Sequence, residues 1–163
     1  MAIKMKSKSS GDTKNQAVKR GSLGSPERLV NNDPRLLDTF APGDVSHQGD
    51  LILVCLSAMP MSATPRANRQ LADGNTQGSR HVLDRGEVFD CDAAEVVRSI
   101  KAATGASVDA KYVGPVFRSP SDPTPHDLTH PEHGHQGFAA GCVVAVVYQR
   151  NLDAEERERR TVD

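Results

Sequence analysis

Apolar residues in this chain cluster in short runs separated by polar, turn-rich stretches, and that rhythm is the first guide to its structure. "LILVCL" (residues 51–56) is a compact apolar block after Gly49-Asp50, and its length and strand-forming residues predict a buried β-strand. "GCVVAVVYQR" (141–150) carries the strongest strand signal. The unbroken Val/Ala run at 143–147 predicts a strand covered on both faces. "AKYVGPVF" (110–117) is a third strand candidate, interrupted by Gly114-Pro115, and "RHVLDRGEVF" (80–89) reads as a hairpin turning at Asp84-Arg85-Gly86. The stretches at 41–50 and 57–70 read as a turn and a loop, and 118–127, with Pro120, Pro123 and Pro125, as a second loop.

Only one segment has a clear helical period. In "DAAEVVRSIKAATG", Ala93, Val96, Val97, Ile100 and Ala103 or Thr104 share a face. Asp92 with Glu95 three residues later forms a capping-box pattern, and Gly105 supplies a stop, predicting a helix over about 92–104. Ser25-Pro26 and Asp33-Pro34 each place an N-cap residue before proline, which predicts short helical turns at 26–30 and 34–39. "LDAEERERR" (152–160) predicts a charged terminal helix with almost no apolar face. The expected fold is mainly β: a small barrel or sandwich with one internal helix, short N-terminal helical turns and a charged C-terminal helix. Residues 1–47 are expected to form a flexible basic arm and residues 48–163 a compact β-rich domain.

Composition limits the core more than it changes the fold. With 163 residues, four Phe, two Tyr and no Trp, the chain can bury a modest core in one domain. The net charge of −1 conceals an asymmetry. Lys4, Lys6, Lys8, Lys14, Lys19 and Arg20 face only Asp12 within the first 20 residues, leaving 14 basic against 20 acidic groups beyond them, a net −6. A basic head on an acidic body suits an acidic partner surface or unspecific phosphate attraction. No aromatic residue interleaves the basic head, so nucleic-acid readout has no support. Leu29, Val30, Leu36, Leu37 and Phe40 give the arm an apolar side that would dock on a protein partner, a second copy or the chain's own core. Cys55, Cys91 and Cys142 are odd in number and share no CxxC spacing, which argues against a disulfide framework. No apolar stretch is long enough to span a membrane, and the N-terminus has no signal-like core. A cytoplasmic or virion location is expected.

The candidate chemistry lies in "LTHPEHGHQG" (128–137), where His130, His133 and His135 surround Glu132. Converging imidazoles would bind zinc or iron if three or four ligands met at about 2 Å. His130-Pro131-Glu132 matches the H-x-E of zinc deaminases but lacks their P-C-x-x-C, H-E-x-x-H is absent, and H-x-x-E-H is missed by one residue. No G-x-S-x-G occurs, so a hydrolase nucleophile elbow is excluded.

Gln48-Gly49-Asp50 with "LILVCLSAMP", "QGSRHVL", "LTHPEHG" and "AAGCVVAVVYQRNLDAEERERRTVD" together resemble an uncharacterised family of small bacterial and phage-encoded proteins. Its members show a QGD-led strand, G-H-x-H, L-x-H-x-E-H and a closing strand ending in Q-R. The resemblance covers residues 48–163 discontinuously and implies a β fold with no activity to transfer. It also implies a site drawn from across the chain: His81, His130 and His133, with His135 an extra. In a metal-dependent enzyme built there, Glu132 is the candidate general base. Ser79 stands where the pattern has its first histidine, and the helix near 92–105 and the long N-terminal extension lie outside the pattern. The expected function is therefore a non-enzymatic binding or structural module, attached through residues 1–47 to a larger assembly such as a phage particle or multi-subunit complex. The alternatives are a metal-dependent enzyme or sensor at the histidines, and a regulatory protein touching nucleic acid through its basic tail.

Overall fold

The computed structural model describes residues 33–73 and 80–149. In chain order it contains β1 (Arg35–Leu37), β2 (Val45–Gln48), β3 (Leu51–Leu56), β4 (Thr64–Arg66), β5 (Gln70–Asp73), β6 (Arg80–Leu83) and β7 (Glu87–Asp90). Helix α1 (Ala93–Thr104) and a 3-10 turn (Ala110–Tyr112) follow, then β8 (Val113–Arg118), β9 (Leu128–Thr129), β10 (Gln136–Phe138) and β11 (Val143–Tyr148). They form two sheets, one ordered β1-β10-β9-β6-β5 and the other β2-β3-β11-β8-β7-β4. All pairings are antiparallel except β1 with β10. The fold is a β-sandwich rather than a closed barrel.

The uninterrupted apolar runs reflect a third layer. Leu51, Leu53 and Cys55 of β3, with Val144 and Val146 of β11, pack into a core shared with Leu83, Leu128 and Phe138 of the other sheet. The alternate positions Val54, Leu56, Ala145 and Val147 pack instead with Val96 and Ile100 of α1. Central strands with a sheet on one side and a helix on the other have no polar face to show, so period-two alternation disappears from their sequence. Asp92 caps α1 by accepting the Glu95 amide at 2.9 Å, and Gly105 closes it in the left-handed region at φ 76°. The predicted capping box forms only in part. The Glu95 carboxylate turns away to accept the Met61 and Ser62 amides, while Ser62 Oγ accepts the Asp92 amide.

Several expectations change. Residues 34–39 do not make a helical turn. Arg35–Leu37 is an extended edge strand whose Arg35 amide bonds the His135 carbonyl at 3.0 Å, and pairing with a distant segment overrides the local Asp-Pro signal. With β1 and β2 inside the sheets, the compact domain begins before residue 48. Of the docking places open to Phe40, the chain's own core is the one it takes, against Phe138 with ring centroids 5.2 Å apart. Residues 80–89 are not a hairpin. β6 and β7 enter different sheets, joined at a corner where Gly86 has φ 110° and the Asp84 and Arg85 amides bond the Asp127 carbonyl. The stretches read as a turn at 41–50 and a loop at 57–70 contain β2 and β4, and Pro65 is tolerated because β4 is an edge strand. The expected turn at 26–30, Leu29 and Val30, and the C-terminal helix lie outside the described residues. Among the described residues no helix is long and apolar enough to cross a membrane.

Candidate functional site

The turn between β2 and β3 begins the site. Gln48 pairs with Leu51 in the ladder, so Gly49 and Asp50 form a two-residue connection, with Gly49 at φ 55°. Ser46 and Gln48 point inward from β2, and both are buried. Because β2 belongs to the six-stranded sheet, these side chains reach across to the five-stranded one. Gln48 Nε2 donates to the carbonyls of Leu128 and Gly134, at 3.2 and 3.0 Å. Gln136 of β10 returns the link, donating to the His47 carbonyl and accepting from Ser46 Oγ. A polar seam thus joins the two sheets at one edge. Among the described residues every buried side-chain nitrogen and oxygen has a hydrogen-bond partner.

The histidines gather on this seam. His81 faces inward from β6, His130 follows β9, and His133 lies in the turn that leads to β10. The His81 and His130 ring centroids are 4.2 Å apart, those of His130 and His133 4.4 Å, and those of His81 and His133 6.0 Å. His81 and His130 are each only 2% exposed. The sequence distance of about fifty residues between His81 and the other two is therefore closed by the fold. Gly49 has a direct part in it: a Cβ there would collide with the His133 imidazole.

Hydrogen bonding fixes which nitrogens carry protons. Both amide hydrogens of Gln48 go to carbonyls, so its Oε1 is left to accept, and His81 Nδ1 at 3.0 Å must donate. Neutral His81 is then the Nδ1–H tautomer, with its lone pair on Nε2. His130 is the reverse. Its Nδ1 accepts the Glu132 and His133 amides at 3.0 and 3.2 Å, so its proton sits on Nε2. His135 is a separate case, because its Nδ1 accepts the His130 amide at 3.3 Å and its ring lies by His126, centroids 5.2 Å apart. The three-histidine set comes together, and the fourth does not join it.

Electrostatics favour the neutral forms of His81 and His130. Burial, reinforced by His130 and then His133, pulls His81 down to about 3. Burial also lowers His130, helped by His133 and His135 and opposed by Glu132 and Asp50. Glu132 itself is at the surface, and its amide makes the bond to His130 described above. A metal ligand normally donates its second ring N–H outward to an acceptor. His81 has that arrangement, whereas His130 Nδ1 accepts two amides and leaves only a protonated Nε2. Among the described residues no three His, Cys, Asp or Glu are placed to hold a metal ion.

Sequence reasoning missed Gln48, Ser46, Gln136 and Asp127. Asp127 is fully buried and accepts the Thr124 amide at 2.8 Å and Thr124 Oγ1 at 3.1 Å, with Arg85 at 3.4 Å. The alternation Val45-Ser46-His47-Gln48 was the available signal, its inward positions polar and its outward Val45 exposed.

No curated protein and no solved structure matches the chain. A family described as a domain of unknown function, DUF8820, matches residues 47–149. That span runs from the end of β2 to just past β11 and takes in Gln48, His81 and the 130–135 turn. Since it covers well over half of the 163 residues, the chain belongs to the DUF8820 family.

Proposed function

We propose that this protein is a non-enzymatic binding or structural module, whose sandwich is a rigid body and whose N-terminal segment attaches it to a larger assembly, such as a phage particle or multi-subunit complex. One observation carries the reading. One ring nitrogen each of His81, His130 and the neighbouring His135 is turned to the chain's own groups: His81 Nδ1 to Gln48, His130 Nδ1 to two amides and His135 Nδ1 to a third. These imidazoles hold the 128–136 segment against the β2 edge. At the other end of that segment, β1 pairs with β10 and forms the edge of its sheet. Leu36 on that strand is 38% exposed.

The closeness of the three rings favours a second reading, a zinc- or iron-dependent enzyme or sensor at His81, His130 and His133. It requires His130 to release both amides and turn its ring, giving up two hydrogen bonds worth about 0.5–1.5 kcal/mol each. The tail reading, unspecific nucleic-acid contact through the basic residues of 1–20, has its own check: binding that survives deletion of residues 1–24 eliminates it.

The deciding experiment compares the full-length protein with a form lacking residues 1–32 and with His130→Ala, by metal analysis, sedimentation and thermal melting. The module reading expects no stoichiometric zinc or iron. It also expects the shortened form to keep its melting midpoint while losing association with a second copy or partner. Stoichiometric metal that disappears in His130→Ala overturns it.

A further inference from the structure

Two of the three cysteines meet in the core. Cys55 lies on the inter-sheet face of β3, and Val144 of β11 is its ladder partner. Cys142 precedes β11 and is two residues from Val144, which places it diagonally across from Cys55 on the same face. The two sulfurs are 3.0 Å apart, across 87 residues of sequence. Both residues are buried, and both carry free thiols. A disulfide would need the sulfurs to approach by only about 1 Å more. Fixed neighbours surround them: Ser119 Oγ accepts the Cys142 amide at 2.8 Å, and the Phe40 carbonyl lies 4.0 Å from Cys55 Sγ. Cys91 is elsewhere, packed with the residues that face α1.

We propose that Cys55 and Cys142 form a redox-active dithiol, converted by a peroxide into an intrachain disulfide that ties β3 to the start of β11. Cys55 is assigned as the attacking sulfur: its contact with Cys142 lowers the Cys55 thiol, while the same contact, reinforced by burial, raises that of Cys142. The Cys55 thiolate attacks one peroxide oxygen and the O–O bond breaks. Cys55 becomes a sulfenic acid, and the departing oxygen leaves as water or an alcohol with the thiol's proton. The Cys142 sulfur then attacks Cys55, the S–O bond breaks, and hydroxide leaves as water with the Cys142 proton. Overall two thiols lose two electrons and two protons, and the peroxide is reduced. Closing so long a loop constrains the unfolded chain, and the expected readout is a melting midpoint raised by on the order of 10 °C.

The test treats the full-length protein with hydrogen peroxide and maps the products by mass spectrometry. The proposal expects a mass loss of two hydrogens, a linked peptide pair containing Cys55 and Cys142, reversal by dithiothreitol, and the same result in Cys91→Ser. Cys142→Ala is expected to stop at a sulfenic acid on Cys55 that dimedone traps, so the proposal does not depend on a Cys55 variant that folds. Persistence of both thiols, separate oxidation of each to sulfinic acid, or a link through Cys91 would each overturn it.

Discussion

Acid provides the sharpest probe of the histidine cluster. His81 is held neutral at about 3 in the fold and titrates at 6.5 when exposed. Between these values the unfolded chain binds a proton that the folded chain refuses, so stability falls as pH drops through this window and is fully present above about 6.5. At pH 7 the His81 contribution is close to zero. At pH 5 it favours the unfolded state by about 2 kcal/mol, and any folded value below about 4 gives nearly the same figure. His130, also lowered, acts in the same direction. The assay is urea unfolding followed by circular dichroism at pH 7 and pH 5, for the wild type and for His81→Asn. Asparagine keeps an N–H donor toward Gln48 and removes the titration. The wild type is expected to lose at least about 2 kcal/mol between the two pH values, and the variant about 2 kcal/mol less than that. Parallel pH dependence in the two proteins would refute the claim that His81 is buried in its neutral form.

Other substitutions test the seam and its supports. Gln48→Leu leaves the Leu128 and Gly134 carbonyls and the His81 Nδ1–H without partners, and urea unfolding is expected to show a loss of about 2–4 kcal/mol. Gly49→Ala places a Cβ against the His133 ring at a left-handed φ, with an expected loss of about 1–3 kcal/mol and shifted histidine ring resonances. Asp127→Ala removes the buried carboxylate that holds Thr124 and Arg85 and is expected to cost about 3 kcal/mol, while Asp127→Asn, which keeps the shape, costs less. Tyr148→Phe deletes the hydroxyl bond to the Leu71 carbonyl and is expected to lower stability by about 1 kcal/mol.

The elements whose neighbours are local were legible in the sequence. Helix α1 announced itself through Asp92, its apolar face and Gly105, and its ends fall within a residue of expectation. β3 and β11 were legible because burial on both sides makes their runs apolar throughout. The edge strands were not. β1 needs β10 as its partner, a hundred residues away, and three residues carry too little pattern to outvote a local Asp-Pro cap. The hairpin expected at 80–89 failed because the corner at Gly86 turns the chain between sheets, a choice made by the Asp127 carbonyl. For the site, motif likeness brought His81, His130 and His133 into one set, and the fold brings their rings together. It gave no hint that Gln48 organises them, since one glutamine before a glycine carries no signature until its partners are known.

The central claim is that the imidazoles serve the chain itself. Long-range proton–nitrogen correlation spectra of the histidine rings, recorded at neutral pH before and after adding one equivalent of zinc, test it most directly. The structure predicts the proton of His81 on Nδ1 and those of His130 and His135 on Nε2, with no change on adding metal. A His130 ring protonated on Nδ1, or His81, His130 and His133 resonances that move together with stoichiometric zinc, would contradict it.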